Sequence, residues 1–209
     1  NYFHKWSSSL AGNLKIGDKL TTNASLQFLR NNGLNRAGVG YNAGILEGLD
    51  VWFGRQVDMD ELKARQYDAD GNLYNWNYNF HNNPYWLQYA NPEYDIRNRV
   101  IGSASGTYAI APWLSATLRG GQDYYNWNID RDFAAGNIQY ADPNYAGAFS
   151  SSSQNNTESN VDLLLNAERG LTQRLQFTGL LGGTLRRNTF GTTDVSTPGI
   201  SVPGIYNVS

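Results

Sequence analysis

Six segments of the chain alternate between apolar and polar residues with period two, the pattern of a strand with one face in an apolar medium. In the first, Trp6, Ser8, Leu10, Gly12, Leu14 and Ile16 fall on one face, opposed by Ser7, Ser9, Ala11, Asn13 and Lys15. In the second, Leu20, Thr22, Ala24, Leu26 and Phe28 oppose Thr21, Asn23, Ser25 and Gln27. The third sets Val100 to Ile110 against Ser103, Ser105 and Thr107, with Ile101 as a misfit on the polar face. The fourth sets Leu114, Ala116, Leu118 and Gly120 against Ser115, Thr117 and Arg119. The fifth sets Val161, Leu163, Leu165 and Ala167 against Asp162, Asn166 and Glu168, with Leu164 as a second misfit. The sixth sets Leu175, Phe177, Gly179, Leu181, Gly183 and Leu185 against Gln176, Thr178, Thr184 and Arg186.

The connections predict where such a sheet lies. One end carries only tight turns, at Gly17–Lys19, Ala111–Trp113 and Gly170–Gln173. The other carries long polar segments, from Asn31 to Asp95 and from Asn128 to Ser159, and a tail from Phe190. Compact soluble domains seldom hold such loops, whereas short turns on one side and long loops on the other mark outer-membrane barrels. Each segment runs about 10–12 residues, close to the ~9–11 that a tilted strand needs to cross a bilayer. The polar faces carry Ser, Thr, Asn and Gln far more than Lys and Glu, as a wet lumen requires.

The fold expected is therefore all-β, a transmembrane antiparallel barrel segment of three hairpins. Leu10, Leu14, Leu26, Phe28, Leu118, Leu163, Leu165, Phe177 and Leu181 would face lipid. Tyr2, Phe3, Trp6, Phe28, Tyr124, Tyr125 and Trp127 on the loop side, and Tyr108 and Trp113 on the turn side, would form interfacial girdles. Six strands are too few to close, since even a barrel just filled by its own side chains takes about eight. The strands would thus belong to a larger barrel. A soluble β-sandwich alternates in the same way and is the rival reading.

Composition narrows the choice. Of 209 residues, 16% are charged, below the roughly 25% of an average soluble domain, while Gly and Tyr number 22 and 14. The net charge of −2 offers no basic field for nucleic acid, and zero Cys excludes disulfides and thiolate metal sites. No run approaches the ~18 apolar residues of a membrane-spanning helix. The opening "NYFHKWSSS" and the ending "TPGISVPGIYNVS" read as interior stretches of a longer polypeptide.

The stretch "NNPYWLQYANPEYDIRNRVIG" resembles the loop-to-strand passage of the SusC/RagA family of TonB-dependent outer-membrane transporters. The matching positions are Asn83, Pro84, Tyr85, Trp86, Asn91, Asp95, Arg97, Asn98, Arg99 and Gly102. "HKWSSSLAGNLKIGDKLTTNASLQFLRNN" looks like a family hairpin, "APWLSATLRGGQDYY" like the strand after the Trp-marked turn and "ISVPGIYNVS" like a family loop ending, in the family's order. The resemblance implies a barrel of about 22 strands around an N-terminal plug, importing oligosaccharides, peptides or other bulky nutrients. It implies energy drawn through TonB, a SusD-like surface lipoprotein as partner, and an outer-membrane location. All 209 residues would then be barrel, the plug and the TonB-contacting segment lying outside this stretch. A passive porin-like channel and a secreted β-rich binding module are the alternatives.

Candidate chemistry is sparse. Trp76, Tyr78, Tyr85, Trp86 and Tyr89 offer flat faces that stack on a substrate, or else build the loop's own core. Arg97 and Arg99 would sit at the outer rim, on lipopolysaccharide phosphates, on loop carboxylates or in local ion pairs. "DADGN" at Asp68–Asn72 lacks EF-hand spacing and reads as a turn. His4 and His81 are isolated, carboxylates such as Asp58 and Asp60 lie in plain loop sequence, and "GVGYNAG" lacks the context of a phosphate loop. No cofactor, metal or enzymatic activity is expected.

Overall fold

A computed structural model describes residues 1–36, 52–79, 81–138 and 146–208. Within them the chain forms six strands: β1 (Tyr2–Ile16), β2 (Leu20–Leu34), β3 (Glu93–Ala111), β4 (Leu114–Phe133), β5 (Ala148–Thr172) and β6 (Leu175–Thr197). They make one open antiparallel sheet in sequence order. Two short helices, α1 (Met59–Ala64) and α2 (Pro84–Ala90), lie in the connection between β2 and β3. "GVGYNAG" falls outside the described residues.

Register turns six separate stripes into two faces. Leu14, Thr22, Gly106, Leu118, Leu163 and Gly183 form one row of cross-strand partners, and Ile16, Leu20, Tyr108, Ala116, Leu165 and Leu181 the next. Because side chains alternate faces along a strand, all nine leucines and phenylalanines expected to face lipid share one side. They are not covered: Leu10 is 75% exposed, Leu181 70% and Leu118 58%. Among the described residues the buried apolar side chains are Leu62, Trp86, Ile129, Ile138 and Ala148, none of which belongs to this apolar face. A sandwich would bury such a face, and a bare apolar surface this wide needs another medium.

The apolar face also fixes a slope. Trp6–Ile16 on β1, Val100–Ile110 on β3 and Leu175–Leu185 on β6 are equal apolar stretches. Trp6 tops the first, while Leu185 tops the last and stands in the row of Gly12, six residues lower along the strand direction. Six residues at about 3.4 Å against five strand spacings of about 4.8 Å give a tilt near 40°. Ten residue steps inclined at that angle span about 26 Å, matching the ~25 Å apolar band and 35–45° tilt of membrane barrels.

Three expectations need correction. The strands outlast the apolar pattern: β4 reaches Phe133, β5 begins at Ala148 and β6 ends at Thr197, where loops and a tail were expected. Ser, Thr and Asn continue the ladder there because backbone pairing with flanking strands suffices once an apolar face is no longer needed. Second, Phe3, Tyr125 and Trp127 are off the girdle, since their odd positions turn them to the polar face. Tyr2, Trp6, Phe28, Tyr108 and Tyr124 stay on the apolar side. Third, for Arg97 and Arg99 the lipopolysaccharide alternative falls away, since both point to the polar face, while the local ion pair holds for Arg99 with Asp123.

Candidate solute-facing wall and cap loop

The polar face is an ion-paired wall. Arg99 of β3 pairs with Asp123 of β4 on the diagonal, Asp123 standing opposite Ile101 and Tyr125 opposite Arg99. Arg119 Nε donates to Asp162 at 2.8 Å, and Thr184 Oγ1 donates to the same carboxylate at 2.7 Å. Arg186 meets Glu158 at 2.8 Å. Between the pairs run hydroxyl contacts, Ser25 with Ser103 at 2.8 Å and Thr107 with Thr117 at 2.9 Å. A shallow concavity of about 360 Å³ lies on this face, lined by Ala11, Asn13, Asn23, Ser25, Ser105 and Arg119. The charges cancel locally, so the wall is wet without a strong field. The misfit Leu164 folds over Gly182, where an added Cβ would stand 2.5 Å from its Cδ2.

None of these pairs was named from the sequence. Arg119, Asp162 and Arg186 were visible only as polar-face positions, and partners up to 43 residues apart need register. Asp162 is 5% exposed, so Asp162→Ala should lower stability by stripping Arg119 and Thr184 of their shared acceptor. Thr184→Ala should cost less, and thermal unfolding of the two variants measures the difference.

Above the wall, cations meet rings. Arg36 forms a two-toothed ion pair with Asp95, which also accepts the Trp127 indole N–H at 3.1 Å. The Arg36 guanidinium stands 5.3 Å from the Phe3 ring centre and 5.8 Å from that of Trp127. Arg97 lies 4.1 Å over Tyr125 and 5.9 Å from Trp127. Arg131 pairs with Glu93. Asn35, at φ +52°, ends β2 and ties it to the loop: its Nδ2 donates to the Gln88 carbonyl at 2.8 Å, and its Oδ1 accepts from Glu93 N at 2.9 Å. Asn tolerates this left-handed geometry better than most residues.

The cap loop is organised by asparagine. Asn83 is fully buried. Its Nδ2 donates to the carbonyls of Leu62 (2.8 Å), Tyr74 (3.1 Å) and Arg65 (3.2 Å). Its Oδ1 caps α2 by accepting from Tyr85 N at 3.0 Å, and its own N–H donates to Asn75 at 2.7 Å. Pro84 follows at the first helical position, where its missing N–H costs nothing. A second tier joins the two long connections. Asn82 donates to Asn137 at 2.5 Å and accepts from Ile138 N at 3.0 Å, while Asn91 accepts from Ala134 N at 2.9 Å.

The five candidate aromatics divide. Trp86 is 3% exposed, its indole N–H on the Tyr67 hydroxyl at 3.0 Å, and it builds the loop's interior. Trp76 is half-buried, packed on Phe53 and stacked on His81 with ring centres 5.2 Å apart. Tyr85 is half-buried at the start of α2. Tyr78 and Tyr89 are 61% and 77% exposed. His4 stacks on Tyr2.

Asp68–Asn72 is a closed turn. Asp68 Oδ1 accepts from Asn72 N at 2.8 Å and Asp70 N at 2.9 Å, with Gly71 at φ +82°. The hydrogen bond from the Asn72 backbone, then those from its side chain and from Asp70 and Gly71, hold the Asp68 carboxyl below the usual carboxylate range against a smaller opposing effect of desolvation. A carboxyl lowered by folding contributes stability above its unfolded pKa and loses it as pH falls through the folded value. Exchange of the Asn72 amide should therefore speed up below the ordinary carboxylate range, and Asp68→Asn should remove that pH dependence.

Two solved structures share this arrangement. The RagAB peptide importer in its closed-closed state superposes with a TM-score of 0.64 at 13% identity, over 93% of this chain and 21% of that one. In its open-open state the TM-score is 0.66 at 14% identity, with the same coverage. The likeness is one of fold: the six-stranded antiparallel sheet superposes on part of the RagAB importer. No protein-family profile and no curated protein matches the sequence. The chain spans about a fifth of the length of the importer chains it matches.

In a RagA-type barrel wall the two sheet faces acquire their meaning. A strand's faces look to the lumen and to the outside in alternation. The ion-paired polar face is the one suited to a lumen, and the bare apolar face the one suited to the exterior. Among the described residues, β1 and β6 are the open edges of the sheet.

Proposed function

We propose that this chain is a wall segment of an outer-membrane nutrient importer, taking up a peptide, an oligosaccharide or a similarly bulky solute. The observation that carries the reading is the uncovered apolar band, about 26 Å high on strands tilted near 40°, backed by a polar wall. The nine leucines and phenylalanines from Leu10 to Leu181 then meet hydrocarbon. The cap loop stands outside the bilayer, where Tyr78 and Tyr89 present open rings to solute and Trp76, Tyr85 and Trp86 hold the loop's shape. By likeness to the RagAB importer, the protein works with a SusD-like surface lipoprotein and is energised through TonB by parts lying beyond these residues. All 209 residues belong to the one barrel domain.

Radiolabelled peptide and oligosaccharide uptake into cells with and without the gene tests this reading. Uptake should require the gene and collapse when the inner-membrane proton gradient is dissipated. Gene-dependent uptake that survives the uncoupler would instead identify a passive channel. The intact mass of the denatured polypeptide should be several times 23.3 kDa, and the protein should fractionate with outer membranes. A soluble protein near that mass would overturn the proposal.

A further inference from the structure

The outer end of the lumen-facing wall holds a cation whose chemistry nothing so far has used. Lys5, Asn31, Arg97, Trp127 and Gln154 form one row of cross-strand partners on the polar face. The neighbouring carboxylates are engaged: Asp95 with Arg36 and the Trp127 indole, Asp123 with Arg99, and Glu93 with Arg131. Among the described residues, Arg97 and Lys5 form no ion pair. Arg97 is half-buried, its guanidinium laid on the Tyr125 ring at 4.1 Å with Trp127 at 5.9 Å. Its Nε is buried without a hydrogen-bond partner, and so is Oδ1 of the facing Asn31.

A buried donor left without a partner is costly and calls for an explanation. A guanidinium held flat on an aromatic platform is fixed in direction, is weakly hydrated and presents a planar fork that fits a carboxylate with two parallel hydrogen bonds. Lys5, two strands away, adds a second positive charge on the same side. We propose that Arg97, on its Tyr125 and Trp127 platform, is a receiving site for a carboxylate carried by the incoming solute, with Lys5 supplying attraction. This deepens the import reading and rests on it. The carboxylate belongs either to a peptide, as an acidic side chain or chain end, or to an acidic sugar.

The test uses the full-length protein purified in detergent and three probes of matched size. These are an Asp/Glu-containing pentapeptide, its Asn/Gln amide counterpart and a uronic-acid oligosaccharide. The acidic peptide or the uronate should bind tighter than the amide peptide, and whichever does names the source. Arg97→Gln should weaken the acidic probe about 10- to 100-fold, the loss expected for a charge-assisted hydrogen bond, and leave the amide peptide unchanged. Arg97→Lys should recover part of the affinity, and Arg187→Gln, on the apolar side of β6, should change nothing. Heat-modifiable gel mobility verifies that each variant is folded. Equal binding of acidic and amide probes, or equal weakening of both by Arg97→Gln, overturns the site while leaving import intact. Absence of gene-dependent uptake for every probe overturns the import reading and this site with it.

Discussion

Replacing Leu26 by arginine is expected to destabilise the barrel by about 2–3 kcal/mol, while Gln27→Arg assembles normally. The two positions are adjacent on β2 and face opposite ways. Leu26 pairs with Leu10 and is 52% exposed on the apolar face. An arginine there costs about 2–4 kcal/mol at the bilayer midplane, less toward the interfaces, and Leu26 lies slightly above the middle of the band. Gln27 lies between Ser9 and Ile101 on the polar face, where a guanidinium stays hydrated. Denaturant unfolding of the full-length protein in lipid vesicles measures both. Equal tolerance would contradict the assignment of faces, and with it the membrane reading.

Asn83→Ala should disrupt the cap loop while sparing the barrel. The side chain satisfies three main-chain carbonyls and caps α2. Losing it leaves buried acceptors without donors at about 1–3 kcal/mol each, and a lost cap adds about 1. The expected total is at least about 4 kcal/mol, confined to the loop because the hydrogen-bond partners of Asn83 all lie in it. Asn83→Asp separates the two roles: it keeps an oxygen for Tyr85 N but cannot donate to Leu62, Arg65 and Tyr74. Limited trypsin digestion reports on the loop, since Lys63 and Arg65 lie beside it. Both variants should be cut there much faster than the native protein, with unchanged unfolding of the barrel. A cap loop as resistant as the native one would show that the Asn83 network does not hold it.

The two experiments probe different kinds of information. Alternation alone was enough to place the nine leucines and phenylalanines on one sheet face, because a one-residue error in phase would turn a whole strand over. The tight turns and long connections likewise follow from Gly, Asp and Pro positions along the chain. The motif around Asn83, Pro84 and Trp86 was legible as a resemblance. Its role as a buried hub was not, because the carbonyls it serves come from residues 9 to 21 positions earlier.

The ends of the strands were misjudged for a related reason. Ser150 to Asn160 carries no apolar stripe, yet it is strand, because β4 and β6 flank it on both sides. Periodicity reports the medium a face meets, and falls silent where both faces are wet. The rim shows the same limit. Arg97 and Arg99 differ by two positions and look equivalent in sequence, but Asp123 lies diagonal to Arg99, within ion-pair reach, while Trp127 stands across from Arg97. One becomes an ion pair and the other is left on an aromatic platform.

The sequence by itself determined the strand count, the apolar face and the sidedness of turns and loops, since each depends on neighbours within a few residues. The tertiary structure decided the tilt, the ion-paired wall and the guanidinium laid on its aromatic platform at the rim. Those depend on register between strands, which backbone hydrogen bonding sets over separations that no local pattern encodes.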